Sequence, residues 1–134
     1  MNRIIGIGVD IVEIPRIKSI LEKHGERFLS RVFTEAEKEY AMSGAKAAER
    51  LAGRFAVKEA MIKALGLGTS SGITLRDIET IPGPSGKPVI RLHNQVIRCL
   101  KWKGGSARSV HVSIAHDGGK AIAFVVLEQM EEKK

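Results

Sequence analysis

Arg50-Leu51-Ala52-Gly53-Arg54-Phe55-Ala56-Val57-Lys58-Glu59-Ala60-Met61-Ile62-Lys63-Ala64-Leu65-Gly66 is the stretch on which the fold turns. Wound at about 100° per residue, it sets Leu51, Phe55, Ile62 and Leu65 on one apolar stripe. Gly66 stands where a left-handed C-terminal cap is wanted. Ala52, Ala56, Ala60 and Ala64 form a second stripe, small enough to let something approach the helix closely. Glu59 and Lys63 lie one turn apart on its border. They read either as a surface ion pair, worth about 0.2–0.5 kcal/mol, or as a carboxylate and an ammonium displayed together for chemistry. Two features speak for chemistry. Lys58 falls inside the apolar stripe, where an ammonium needs a partner or must snorkel to water. Arg50, Arg54 and Lys58 also repeat at i+4 and repel one another unless an anion sits nearby. A basic flank with one exposed acid suggests metal plus phosphate.

Upstream, Arg3–Val12 is rich in β-branched residues and predicts a strand. Alternation puts Ile5, Ile7, Val9 and Ile11 on one face, and Ile4, Gly6, Gly8, Asp10 and Val12 on the other. Asp10 thus shares a face with two glycines, a face open to a close neighbour or ligand. It is read either as a turn-capping residue near the strand end or as a paired or metal-bound carboxylate. A helix from Pro15 to about His24, closed by Gly25, buries Ile14, Ile17, Ile20 and Leu21 and turns Arg16, Lys18 and Lys23 outward. A short helix around Glu26–Arg31 follows, then a capping box at Thr34-Glu35-Ala36-Glu37 opens a helix ending near Gly44.

Downstream, Gly66–Gly72 reads as a loop; it follows a helix and opens none, so its glycines are no dinucleotide fingerprint. Thr74–Ile81 and Pro88–Leu92 predict two strands joined by a Pro/Gly-rich turn. Asn94 is placed to cap a helix through Lys103 with Val96, Ile97 and Leu100 inward. Ser109–His116 and Lys120–Glu128 predict a hairpin around Asp117-Gly118-Gly119. The second of these strands is apolar on both faces and is expected to be central.

A chain of 134 residues suffices for one domain over 1–134 with a sizeable core. It carries neither an apolar run of membrane-spanning length nor a signal-peptide pattern, which points to the cytoplasm. The single Cys99 leaves no internal disulfide and suits a core or near-core position. A net charge of +7 implies an acidic partner: nucleic acid, a phosphorylated ligand or an acidic protein. Aromatics make up only 4% of the chain, few stacking platforms for single-stranded nucleic acid.

Four patterns, in this order and spacing, resemble the holo-acyl-carrier-protein synthases, the small bacterial group of 4′-phosphopantetheinyl transferases. They are Gly6-Ile7-Gly8-Val9-Asp10-Ile11-Val12-Glu13, Phe33-Thr34-Glu35-Ala36-Glu37, Arg54-Phe55-Ala56-Val57-Lys58-Glu59-Ala60 with Lys63, and Val112-Ser113-Ile114-Ala115-His116-Asp117. Gly86-Lys87-Pro88 fits the same pattern, and the resemblance covers essentially the whole chain. It implies an α+β fold, a small antiparallel sheet packed against the long helix, and a homotrimer with sites between neighbouring subunits. It implies transfer of 4′-phosphopantetheine from coenzyme A to a serine of apo acyl carrier protein, releasing adenosine 3′,5′-bisphosphate, in fatty acid biosynthesis. Asp10 and Glu59 match the family's magnesium ligands, and Lys63 its phosphate contact. His116 matches the histidine reaching coenzyme A from the adjacent subunit. Arg54 and Gly86-Lys87-Pro88 are expected at the 3′-phosphate and adenine, and Arg16 and Lys23 at acyl carrier protein. The serine's base stays open between Glu59 and a metal-bound water. Two other classes stand beside this reading: a basic nucleic-acid-binding protein and a magnesium-dependent nucleotide pyrophosphohydrolase.

Overall fold

The computed structural model describes residues 2–66, 72–102 and 108–130. The organising stretch forms α3 (Ala47–Leu65), with Gly66 left-handed at φ 67° behind it. β1 (Arg3–Glu13), β5 (Lys120–Gln129) and β4 (Arg108–Asp117) make an antiparallel sheet in the order β1-β5-β4, so the strand apolar on both faces is indeed central. The β4–β5 hairpin turns on Gly118 and Gly119 alone, at φ 56° and 77°. Two successive positive φ values match the twist of the flanking strands, and glycine supplies them without strain.

The alanine stripe of α3 and the glycine face of β1 meet each other. Cβ atoms on Gly6 and Gly8 would run into the carbonyl oxygens of Ala64 and Ala60. Helix and strand therefore lie backbone to backbone, with Ala121, Ala123, Val125 and Leu127 of β5 completing the layer. The other face of the sheet carries Ile7, Val9 and Ile11, which are 49–58% exposed, and Phe124 opposite Val9. Ile5 escapes that face because the register with β5 shifts between Ile4 and Gly6.

α1 (Ile14–Val32) is two helical pieces joined at Gly25, whose φ of 44° breaks the spiral where the sequence places the stop. α2 (Glu35–Met42) starts at the expected capping box, with Thr34 Oγ1 accepting from Glu37 N and Glu37 Oε1 accepting from Thr34 N. β2 (Ile78–Pro82) and β3 (Pro88–Leu92) form a separate hairpin. Here the expected strand from Thr74 is too long. Asp77 Oδ2 accepts from Thr74 N and winds Leu75–Asp77 into a 3₁₀ turn. α4 (Gln95–Trp102) buries Val96 and Leu100, but Ile97 faces outward, contrary to expectation. Asn94 sits at φ 50° and spends its amide on Asp77 Oδ1, 3.2 Å away. Lys103 and Leu67–Ser71 lie outside the described residues.

Candidate active site

β1 is an edge strand, so outward carbonyls along its free side have no strand partner. Asp10 points to the inner face there, beside the last two turns of α3. Lys63 Nζ donates to Asp10 Oδ1 at 3.1 Å and to Val9 O at 3.0 Å. Glu59 is half-buried one turn back, and its pKa is raised first by burial and then by the nearby Asp10 carboxylate. Lys63 and Arg16 oppose that shift, so the charge of Arg16 on α1 is felt at this cluster. Three of the expected site residues, 49 and 53 positions apart across β1 and α3, thus meet in one place. Among the described residues no group of three or more His, Cys, Asp and Glu side chains is set to hold a metal. The protein's offer here is two carboxylates.

His116 lies elsewhere in the same chain. Its Nε2 is 3.2 Å from Glu49 O, and a Cβ on Gly53 would come equally close to it. Glu49 precedes Glu59 by ten residues of α3, about 15 Å at the rise of an α-helix. The turn at Gly86-Lys87-Pro88 is also on the β4 side. Lys87 and Pro88 help line an open groove of about 660 Å³ between β3 and β4, shared with Ile97, Arg108 and His111. The expected site residues therefore fall into two groups, at opposite edges of the sheet.

Arg54 is nearly buried. Its guanidinium stacks on Tyr40 of α2, 4.2 Å from the ring centroid, and Arg50 stacks on the same ring at 4.6 Å. Burial lowers the pKa of Arg54 while Tyr40 and Glu37 hold it up. Its Nε is buried without an acceptor among the described residues. Lys58, the third member of the basic i+4 series, is fully buried and donates to Glu37 Oε1, Leu75 O and Ile78 O at 2.5–2.8 Å. The basic series is thus accommodated by the Tyr40 ring and by an internal anion, the Glu37 carboxylate, which removes part of the sequence argument for phosphate. The capping box marked Glu37, but nothing in the sequence ties it to Lys58. On the far side of Thr34, Glu79 accepts from Thr34 Oγ1 and lies 3.2 Å from His93 Nε2. Burial works against ionising Glu79, yet Thr34 and His93 outweigh it and keep its pKa low.

Known proteins share this fold and much of this sequence. A family model described as the 4′-phosphopantetheinyl transferase superfamily matches residues 6–124. A holo-[acyl-carrier-protein] synthase of Koribacter versatilis is 43% identical over 125 residues, 93% of this chain and 98% of the relative. One of Desulfovibrio desulfuricans is 45% identical over 127 residues, 95% and 99% of the two chains. A crystal structure of a holo-(acyl-carrier-protein) synthase from Bacillus anthracis in complex with CoA (3′,5′-ADP) superposes with a TM-score of 0.75 at 37% identity, covering 95% of this chain and 98% of that one. Matched over most of its length by family, relatives and fold, the chain belongs to the 4′-phosphopantetheinyl transferase superfamily, in the holo-acyl-carrier-protein synthase family.

Proposed function

We infer that this protein transfers 4′-phosphopantetheine from coenzyme A to a serine hydroxyl of apo acyl carrier protein, releasing adenosine 3′,5′-bisphosphate. The observation that carries the reading is the meeting of Asp10, Glu59 and Lys63 at the β1 edge in a chain of this family. In the reaction the serine oxygen bonds to the pantetheine-side phosphorus. The bond from that phosphorus to the bridging oxygen breaks, and the bisphosphate leaves with that oxygen.

Magnesium fits the donors present, because two carboxylates stand close enough to raise the pKa of one, and hard cations take such oxygens along with water and phosphate. Asp10 and Glu59 would hold it, and it would supply charge neutralisation for the pyrophosphate oxygens. The Lys63 ammonium is a point charge suited to the phosphate that develops negative charge. The proton the serine loses goes to Glu59 or to a metal-bound water, either of which lies at this cluster. Arg54, whose Nε has no acceptor among the described residues, and the Gly86-Lys87-Pro88 turn, of which Lys87 and Pro88 line the groove between β3 and β4, are assigned to the 3′-phosphate and adenine.

A homotrimer completes each site. The exposed apolar face of Ile7, Val9, Ile11 and Phe124 supports self-association, since patches of that kind mark contact surfaces. The separation of His116 from Asp10 supports a site in which His116 serves the neighbouring subunit. Arg16 and Lys23, exposed on α1, are the docking charges for the acidic carrier protein. The enzyme works in the cytoplasm, in fatty acid biosynthesis, and needs neither nucleic acid nor membrane.

Mass spectrometry of apo acyl carrier protein with enzyme, magnesium and coenzyme A tests this. The expected result is the gain of one phosphopantetheine, abolished by excess chelator and by Asp10→Ala or Glu59→Ala. Unmodified carrier with coenzyme A cleaved by water would identify a pyrophosphohydrolase instead. Unchanged substrates together with salt-sensitive nucleic-acid binding would identify the basic binding protein. Full transfer in chelator would remove the metal from the account.

A further inference from the structure

Lys63 Nζ lies between two oxygens, Val9 O at 3.0 Å and Asp10 Oδ1 at 3.1 Å. Both are hard donors, and the carboxylate is one of the two expected to take the divalent cation. An ammonium bonded to Asp10 Oδ1 and a cation on that carboxylate repel each other at contact range. The ammonium can move, because its side chain is 56% exposed while that of Asp10 is 18% exposed. The carboxylate is therefore the fixed partner and the lysine the one that yields.

We propose that Lys63 also governs metal loading: its ammonium competes with the divalent cation for Asp10, and the cation that displaces it frees the ammonium for the substrate phosphate. This rests on the reading of Asp10 and Glu59 as metal ligands. It assigns the lysine a second role in the same site, as a built-in counter-ion. Loading and phosphate binding are then coupled, because an anion that draws Lys63 away from Asp10 also removes the cation's competitor. A substrate phosphate and the metal thus assist each other through a residue that need not touch the metal.

The test is Mn²⁺ binding to the full-length protein without coenzyme A, followed by the loss of the free-ion signal in electron paramagnetic resonance. Wild type, Lys63→Met, Arg16→Met and Asp10→Asn are compared, with circular dichroism melts to establish that each is folded. Lys63→Met is expected to tighten the Mn²⁺ Kd about fivefold, the upper range for a partly exposed ion pair. Arg16 carries a charge that reaches Glu59 but is not paired with Asp10. Arg16→Met is therefore expected to change the Kd less than about twofold if direct pairing matters more than distant charge. Equal tightening by both variants, or no tightening by Lys63→Met while binding still depends on Asp10, overturns the proposal and leaves the metal site standing. Mn²⁺ binding that is absent, or that survives in Asp10→Asn, overturns the proposal and the metal reading together.

Discussion

Lys58 and Glu37 form a 2.7 Å ion pair with both side chains fully buried. It explains the ammonium inside the apolar stripe of α3. Burial pushes the lysine's pKa down and the glutamate holds it up. The pair does more than neutralise charge. Glu37 also accepts from Thr34 N and Thr80 N, and Lys58 caps Leu75 O and Ile78 O. Helix α2, helix α3 and the β2–β3 hairpin are joined through these few atoms.

Lys58→Met should therefore cost about 3–5 kcal/mol, since it leaves a carboxylate buried without its charge partner. Adding Glu37→Gln should recover part of that loss, because an uncharged amide costs less to bury and its oxygen still serves one of Thr34 N and Thr80 N, which bond to different oxygens of Glu37. Urea unfolding at one fixed protein concentration measures both. Equal stability of the single variant and wild type would show that Glu37 finds another partner.

Gly8→Ala should cost about 1–3 kcal/mol or more, as overpacking does where the surroundings cannot give. The new Cβ would meet the Ala60 carbonyl, a backbone atom held inside α3. Thermal melts report the loss, and a melt like that of wild type would mean that β1 and α3 can slide apart.

Glu59 should titrate above the ordinary glutamate range, read from its carboxyl ¹³C shift in metal-free protein. A raised pKa means that its ionised, base-competent form is lost early as pH falls. The native state also binds the proton more tightly than the unfolded chain, so ionising Glu59 works against stability as pH rises through that window. Asp10→Asn should lower this pKa only partly, because burial, the larger cause, remains. A full return to the ordinary range would make Asp10 the dominant cause.

Inactive Asp10→Ala and His116→Ala chains, unfolded and refolded together, should regain part of the transfer activity. Mixed trimers then contain interfaces that combine an intact Asp10 with an intact His116. Mixed trimers without activity would place both residues in one chain's own site.

Lys23→Glu should raise the apparent KM for acyl carrier protein severalfold and leave that for coenzyme A unchanged, with wild-type affinity for the carrier weakening as salt rises. Arg16→Glu should do this and also raise the pKa of Glu59 in metal-free protein, because Arg16 helps keep that carboxylate ionised. Steady-state kinetics with each substrate varied in turn and the carboxyl ¹³C shift of Glu59 distinguish them. Equal damage to both KM values by Lys23→Glu would mean that α1 supports the nucleotide site or the fold.

Much of the fold was legible because its signals are local. A two-glycine turn, a capping box and a terminal Gly66 act within a few residues, and the structure has each where the pattern puts it. The failures are also local patterns, overruled by distant partners. Thr74–Asp77 looks extended until Asp77 turns back to Thr74 N, and Asn94 looks like a cap, but its backbone is left-handed at φ 50° rather than extended and its amide donates to Asp77. Ile97 faces outward because the buried side of α4 is taken by Val96 and Leu100.

From the sequence alone came the list of chemically equipped residues, the small-residue faces of β1 and α3, and the family they resemble. Which of those residues meet was decided by the tertiary structure. The alanine stripe and the glycines fit only each other, so β1 is drawn against α3 until backbones touch, and that contact carries Asp10 to Lys63. The same packing puts His116 against the opposite end of α3. It also encloses Lys58, whose charge had suggested a phosphate, with the carboxylate of Glu37. Residue types and helical or strand period are properties of neighbours along the chain. Pairings across more than twenty residues depend on which surfaces exclude water together, and only the folded chain settles that.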